Sequence, residues 1–159
     1  MNRIRSGLRA IVALAPLVVA AGCGGDAVAG QPRDIALGVD ACEYCHMSVD
    51  DLERAAQWVP ASGPALTFDE PGCLVAWLQR NPGAEGRAFV ADGAGGGWVP
   101  AEAGAYLVGR VRTGMGFDVV AYAADADAAA LLGEPGGGAG EVLSWTELLE
   151  RGVVDAHAR

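Results

Sequence analysis

Short apolar runs separated by turn-forming residues dominate the chain after residue 55. Gln57-Trp58-Val59 and Ala65-Leu66-Thr67-Phe68 flank Pro60-Ala-Ser-Gly-Pro64, which predicts two short strands around a turn. Asp69 is placed to cap a helix whose first turn carries Glu70 and Pro71; the helix runs to Arg80 and stops at Asn81-Pro82-Gly83. Residues 87–92 and 97–99 read as strands on either side of a glycine-rich turn. The same order follows again: strands at 106–111 and 117–122, a helix over 125–132 ended by Gly133, and a strand around Val142. Ser144-Trp-Thr-Glu147 is a capping box that opens a short helix closed by Gly152.

This pattern predicts an α+β fold of two similar halves, about 40–104 and 105–152. Aligning the junction Thr67-Phe68-Asp69 with Ala121-Tyr122-Ala123 matches strand-to-helix transitions of the same shape, with slight identity. The alignment places Met115 on the loop between the two strands of the second half. There it could share a cleft with the sulfur-rich segment that precedes the strands of the first.

Residues 1–22 have the pattern of an export leader. Arg3, Arg5 and Arg9 form a basic start, 10–21 an apolar stretch, and Ala20-Ala21-Gly22 a small-residue cleavage site. An apolar run of roughly a dozen residues is too short to cross about 30 Å of hydrocarbon. Cys23 directly after Ala-Ala-Gly resembles the lipobox of bacterial lipoproteins, with Ala20 where leucine is usual. On that reading Cys23 carries the lipid, 23–39 is a tether, and 40–159 is an extracytoplasmic domain held at the periplasmic face of a membrane.

Charge narrows the partners. The chain has no lysine, and losing Arg3, Arg5 and Arg9 with the leader takes the net charge from −9 to about −12. Such a surface repels nucleic acid, and it could steer cations or a basic protein patch.

The chemistry lies in Cys42-Glu-Tyr-Cys45-His46-Met47. The Cys-x-x-Cys spacing serves a redox disulfide, half of a zinc site or a soft-metal site, and a plain structural disulfide is the bland alternative. A thioredoxin-like motif follows a strand and opens a helix, whereas this one stands near the start of the domain. Structural zinc needs a second Cys/His pair, which the sequence lacks. Met47, two residues after Cys45, adds a thioether, and thiolate with thioether is the donor set that selects copper(I). Met115, between Gly114 and Gly116, is the other methionine of the mature chain and suits a mobile loop. His46 is an auxiliary ligand or a surface residue. Cys73, on the first helix beside Leu74, Trp77 and Leu78, reads as a packing thiol.

Taken in order, Tyr44-Cys-His-Met47, Gly97-Trp-Val-Pro-Ala101, Ala105-Tyr-Leu-Val-Gly109, Gly114-Met-Gly116 and Val119-Val-Ala-Tyr122 resemble the NosL family over roughly residues 40–150. These are copper-chaperone lipoproteins that serve nitrous oxide reductase. The resemblance implies a pair of ββαβ halves like the C-terminal part of organomercurial lyase. It implies copper(I) as cargo, held by Cys45, Met47 and Met115, with Cys42 and His46 in second rank. It also implies no catalysed reaction, apo nitrous oxide reductase and membrane copper-supply proteins as partners, and a lipid anchor at Cys23. In that family His46 is often glycine or glutamine, and Cys42 occurs in only some members. A thiol-disulfide protein using Cys42 and Cys45 is the competing expectation.

Overall fold

The computed structural model describes residues 30–95, 97–123, 130 and 140–154. The expected leader, Cys23 and all but residue 130 of the helix expected at 125–132 lie outside the described residues. Among the described residues, seven strands and the helices Pro71–Arg80 and Trp145–Arg151 alternate with irregular segments, giving a mixed α+β fold whose sheets there are wholly antiparallel.

The first sheet is built on β1 (Ala56–Pro60), with β2 (Leu66–Phe68) on one side and β3 (Gly86–Ala91) on the other, and β4 (Trp98–Pro100) beyond β3. In the register Ala56 stands opposite both Phe68 and Val90. Between β2 and β3 runs α1 (Pro71–Arg80), which begins one residue later than Asp69 would cap it. Glu70 is the N-cap, and it makes no side-chain capping bond. Pro71 suits the first helical position because its missing N–H is one of the helix's unpaired donors anyway. At the far end the Asn81 side chain donates to the Trp77 carbonyl at 2.8 Å, satisfying an acceptor that the helix leaves open.

A single 3₁₀ turn, Ala101–Ala103, leads into the second sheet, in which β5 (Gly104–Val108) is central between β6 (Val119–Ala123) and β7 (Glu141–Ser144). Both sheets therefore place their first strand in the middle, its hairpin partner on one side and the third strand on the other. α2 (Trp145–Arg151) follows, opened by the capping box expected from Ser144 and Glu147 and closed by Gly152 at φ 67°.

The sheets are joined. Gly93, just past β3, donates its N–H to the Ala121 carbonyl of β6 at 2.8 Å, and α1 packs against β1, β2 and β6. A main apolar cluster results, containing Phe68, Leu74, Val90, Tyr106, Val119, Trp145 and Leu148, with a smaller one of Ile35, Val49 and Ala55. Buried Tyr106 satisfies its hydroxyl on the Ala101 carbonyl at 2.8 Å. Within the stretch read as tether, Arg33 is held on the domain. Its N–H and C=O pair with the buried side-chain amide of Gln57 at 3.0 and 2.6 Å, and its guanidinium grips both oxygens of Asp40.

Candidate metal centre

Asp40 opens the hairpin that carries the sulfur atoms. The Val49 N–H donates to the Asp40 carbonyl and the Cys42 N–H to the Met47 carbonyl, with an isolated bridge between Ala41 and Ser48. Within this closed loop the His46 N–H bonds back to the Cys42 carbonyl at 2.9 Å, which requires His46 to take φ 61°. The segment is thus a tight turn, not an extended run, and left-handed backbone is what makes glycine suitable at that position. Histidine is among the residues that tolerate it. His46 is exposed.

Two bonds dock the turn onto β2: the Glu43 N–H to the Thr67 carbonyl, and the Thr67 hydroxyl to the Ala41 carbonyl, both 2.8 Å. Because β2 runs straight into α1, the same anchoring sets the turn against the helix's first residues. Cys73, the third residue of α1, then meets Cys42 and Cys45. The three Sγ atoms all lie within 4.8 Å of one another, Cys42 and Cys73 fully buried and Cys45 half-buried. All three described cysteines are free thiols.

The trio shares its protons unequally. Cys42 is pulled down to about 6, chiefly by a hydrogen bond from the Cys73 thiol, with help from the backbone N–H groups of Cys45, Asp69 and Tyr44 outweighing its burial. Cys73 is raised because it is the donor in that bond, and burial adds to the shift. Burial pushes Cys45 up to about 11.

Met115 is not on an open loop tip. It is 7 % exposed and belongs to the same apolar cluster as Cys42 and Cys73, whereas Met47 is 54 % exposed. The 109–118 loop, between β5 and β6 as expected, is pinned by Asp118. Its carboxylate accepts from the Thr113 N–H at 3.0 Å, and its own N–H donates to the Thr113 hydroxyl at 2.9 Å. Phe117 packs edge-on against Tyr44, between the two hairpin cysteines, at 6.0 Å between centroids. The Arg80 guanidinium also lies over the Tyr44 ring, 4.4 Å from its centroid. The two loops are therefore in contact.

Beside them is a surface depression of about 230 Å³ whose wall includes Met47, Asp50, Asp69, Glu70, Thr113 and Gly114. Glu70 is the anomaly there: 2 % exposed, with neither carboxylate oxygen in a regular hydrogen bond. Burial raises it to about 7, an effect that the nearby Thr113 hydroxyl and Met115 N–H only partly offset.

Of the residues singled out in the sequence, the structure gathers Cys42 and Cys45 in one sulfur cluster. It sets Met47 on the depression that Gly114, the neighbour of Met115, also lines, and it leaves His46 at the surface. Cys73 was missed as a functional candidate. Its helical, apolar company is what a core thiol has, and only its place directly after the strand that docks the hairpin distinguished it. Three clustered thiols form a donor set for a soft metal ion.

An α+β domain bearing a sulfur-rich candidate metal site is the class of protein defined so far. The family follows from comparison: the NosL family model matches residues 36–152, and the chain belongs to that family. Among solved structures, the crystal structure of the copper chaperone NosL from Shewanella denitrificans matches with a TM-score of 0.62 at 17 % identity, covering 77 % of this chain and 98 % of that one. Its fold is thus shared. No curated protein sequence matches significantly.

Proposed function

We propose that this protein is a copper(I) chaperone that delivers the ion to apo nitrous oxide reductase for assembly of its copper-sulfur cluster. The single observation that carries the reading is the convergence of Cys45 with further sulfur donors beside exposed Met47, on a chain of the NosL family. The Shewanella relative's description as a copper chaperone supports it.

Cys45, Met47 and Met115 are the proposed outer ligands. Thiolate gives charge neutralisation and strength, and thioether gives soft, weak donation that a partner's ligands can displace one at a time. Half-buried Cys45 and exposed Met47 set this exchange at the surface. Burial of Met115 means that its loop must shift for the thioether to reach the same ion. No substrate is transformed; the ion changes hands. Residues 1–22 export the chain, the lipid on Cys23 holds it at the periplasmic face, and membrane copper-supply proteins load it there. Anchoring raises its concentration near them. The two sheets, alike in strand order, are read as two ββαβ halves with the copper site between their loops.

The competing reading, a thiol-disulfide protein using Cys42 and Cys45, is favoured by the lowered Cys42 thiol. Full burial of Cys42 works against it, because an attacking thiol must reach a partner's disulfide.

The test is transfer. Copper(I)-loaded, reduced full-length protein mixed anaerobically with apo nitrous oxide reductase should restore the enzyme's cluster absorbance, and Met47→Ala with Met115→Ala should slow the restoration severalfold. Loading without any transfer would contradict the chaperone role.

A further inference from the structure

The geometry points to a second, inner copper(I) seat formed by the Sγ atoms of Cys42, Cys45 and Cys73, lying beneath the proposed Cys45, Met47 and Met115 set and sharing Cys45 with it. This rests on the reading of the chain as a copper(I) carrier, and it makes ligands of two residues, Cys42 and Cys73, that lie outside the ligand set named there.

Size comes first. Metal-sulfur bonds of about 2.3 Å in a trigonal arrangement put the sulfurs about 4 Å apart. The three thiols already lie within 4.8 Å of one another, so closing on one ion needs shifts well under an ångström. They come from two elements fixed against each other, the hairpin turn docked by Thr67 and the first turn of α1, so the cluster is held by the fold.

Coordination number selects the ion. Among the described residues no histidine, carboxylate or fourth cysteine joins the group, and two of its three members are shut off from solvent. A closed zinc site takes four ligands. Three soft donors without a fourth suit copper(I).

The sharing of Cys45 gives a route outward. An ion leaving the inner seat keeps its bond to Cys45, loses those to Cys42 and Cys73, and gains those to Met47 and Met115. Of the two released sulfurs, Cys73 takes up a proton from solvent and again donates a hydrogen bond to Cys42. Copper remains monovalent throughout, so no oxidant or reductant is needed. Two thiolates are exchanged for two neutral thioethers, which turns a tight storage seat into a weak delivery seat.

The test uses the full-length protein in detergent, reduced and anaerobic, with copper(I) titrated against a competing chromophoric chelator and the sulfur shell counted by X-ray absorption. For one equivalent on the wild type, three sulfurs at about 2.3 Å are expected. Met47→Ala with Met115→Ala should keep that shell and an affinity within threefold. Cys42→Ser with Cys73→Ser should lose at least tenfold in affinity while retaining uptake through Cys45. Wild-type affinity in the Cys42/Cys73 variant, with loss in the methionine variant, would overturn the inner seat and leave the chaperone reading standing. Absence of uptake by the wild type would overturn both. Should the serine variant fail to fold, a wild-type shell of one short and two long sulfur distances refutes the inner seat by itself.

Discussion

Gly72 and Phe117 are in contact so close that no other residue fits between them: a Cβ on residue 72 would lie 2.3 Å from the Cβ of Phe117. Through this contact the first turn of α1, which carries Cys73, supports the loop that carries Met115. Gly72→Ala should therefore push the loop off the helix. The overpacking costs about 1–3 kcal/mol, more than the roughly 1 kcal/mol that alanine gains in helix propensity. Thermal melts should show a lowered midpoint, and copper transfer to apo nitrous oxide reductase a severalfold lower rate, with copper(I) affinity within threefold.

Glu70 makes stability depend on pH in the direction opposite to a salt-bridged carboxylate. Its folded value of about 7 lies above the ordinary 4.5, with burial as the cause. Below 4.5 both folded and unfolded states hold the proton. As pH rises toward 7 the unfolded state ionises first, so stability falls, by about 3 kcal/mol once both are ionised. Glu70→Gln should abolish that fall, its advantage over the wild type growing between pH 4.5 and 7 and levelling off above. Parallel denaturation curves for the two proteins across this range would contradict the assignment.

His46 separates backbone from ligand roles. At φ 61° its backbone is in the region where glycine is unstrained. His46→Gly should leave stability unchanged or raise it by up to about 1 kcal/mol, since relief of strain competes with greater freedom of the unfolded chain. Copper(I) affinity should stay within threefold; a tenfold loss would make the imidazole a ligand.

Tyr106 fastens the second sheet to the 3₁₀ turn before it. Tyr106→Phe removes its buried bond to the Ala101 carbonyl. A cost of about 1–2 kcal/mol is expected in chemical denaturation, with copper binding unchanged because the bond lies outside the sulfur site.

How much of this was legible in the sequence differs by element. The α1 boundaries and the α2 capping box follow from local chemistry, Pro71 and Asn81-Pro82-Gly83 in one case and Ser144 with Glu147 in the other. Capping by Asp69 instead of Glu70 was a one-residue error, of the kind expected where two acidic residues precede a proline. Long-range placement was harder to read. The role of Cys73 depends on Thr67 docking the hairpin against β2, and no periodicity reports that bond. Glycines on both sides of Met115 argued for mobility, yet the Asp118 network and the Gly72 contact pack the loop down.

The account depends most on Cys45, common to both proposed sets of ligands. Copper(I) competition titration of reduced wild type and Cys45→Ser, with circular dichroism to verify the fold, tests it directly. At least a hundredfold loss of affinity in a folded variant is the predicted result; affinity equal to the wild type would contradict it.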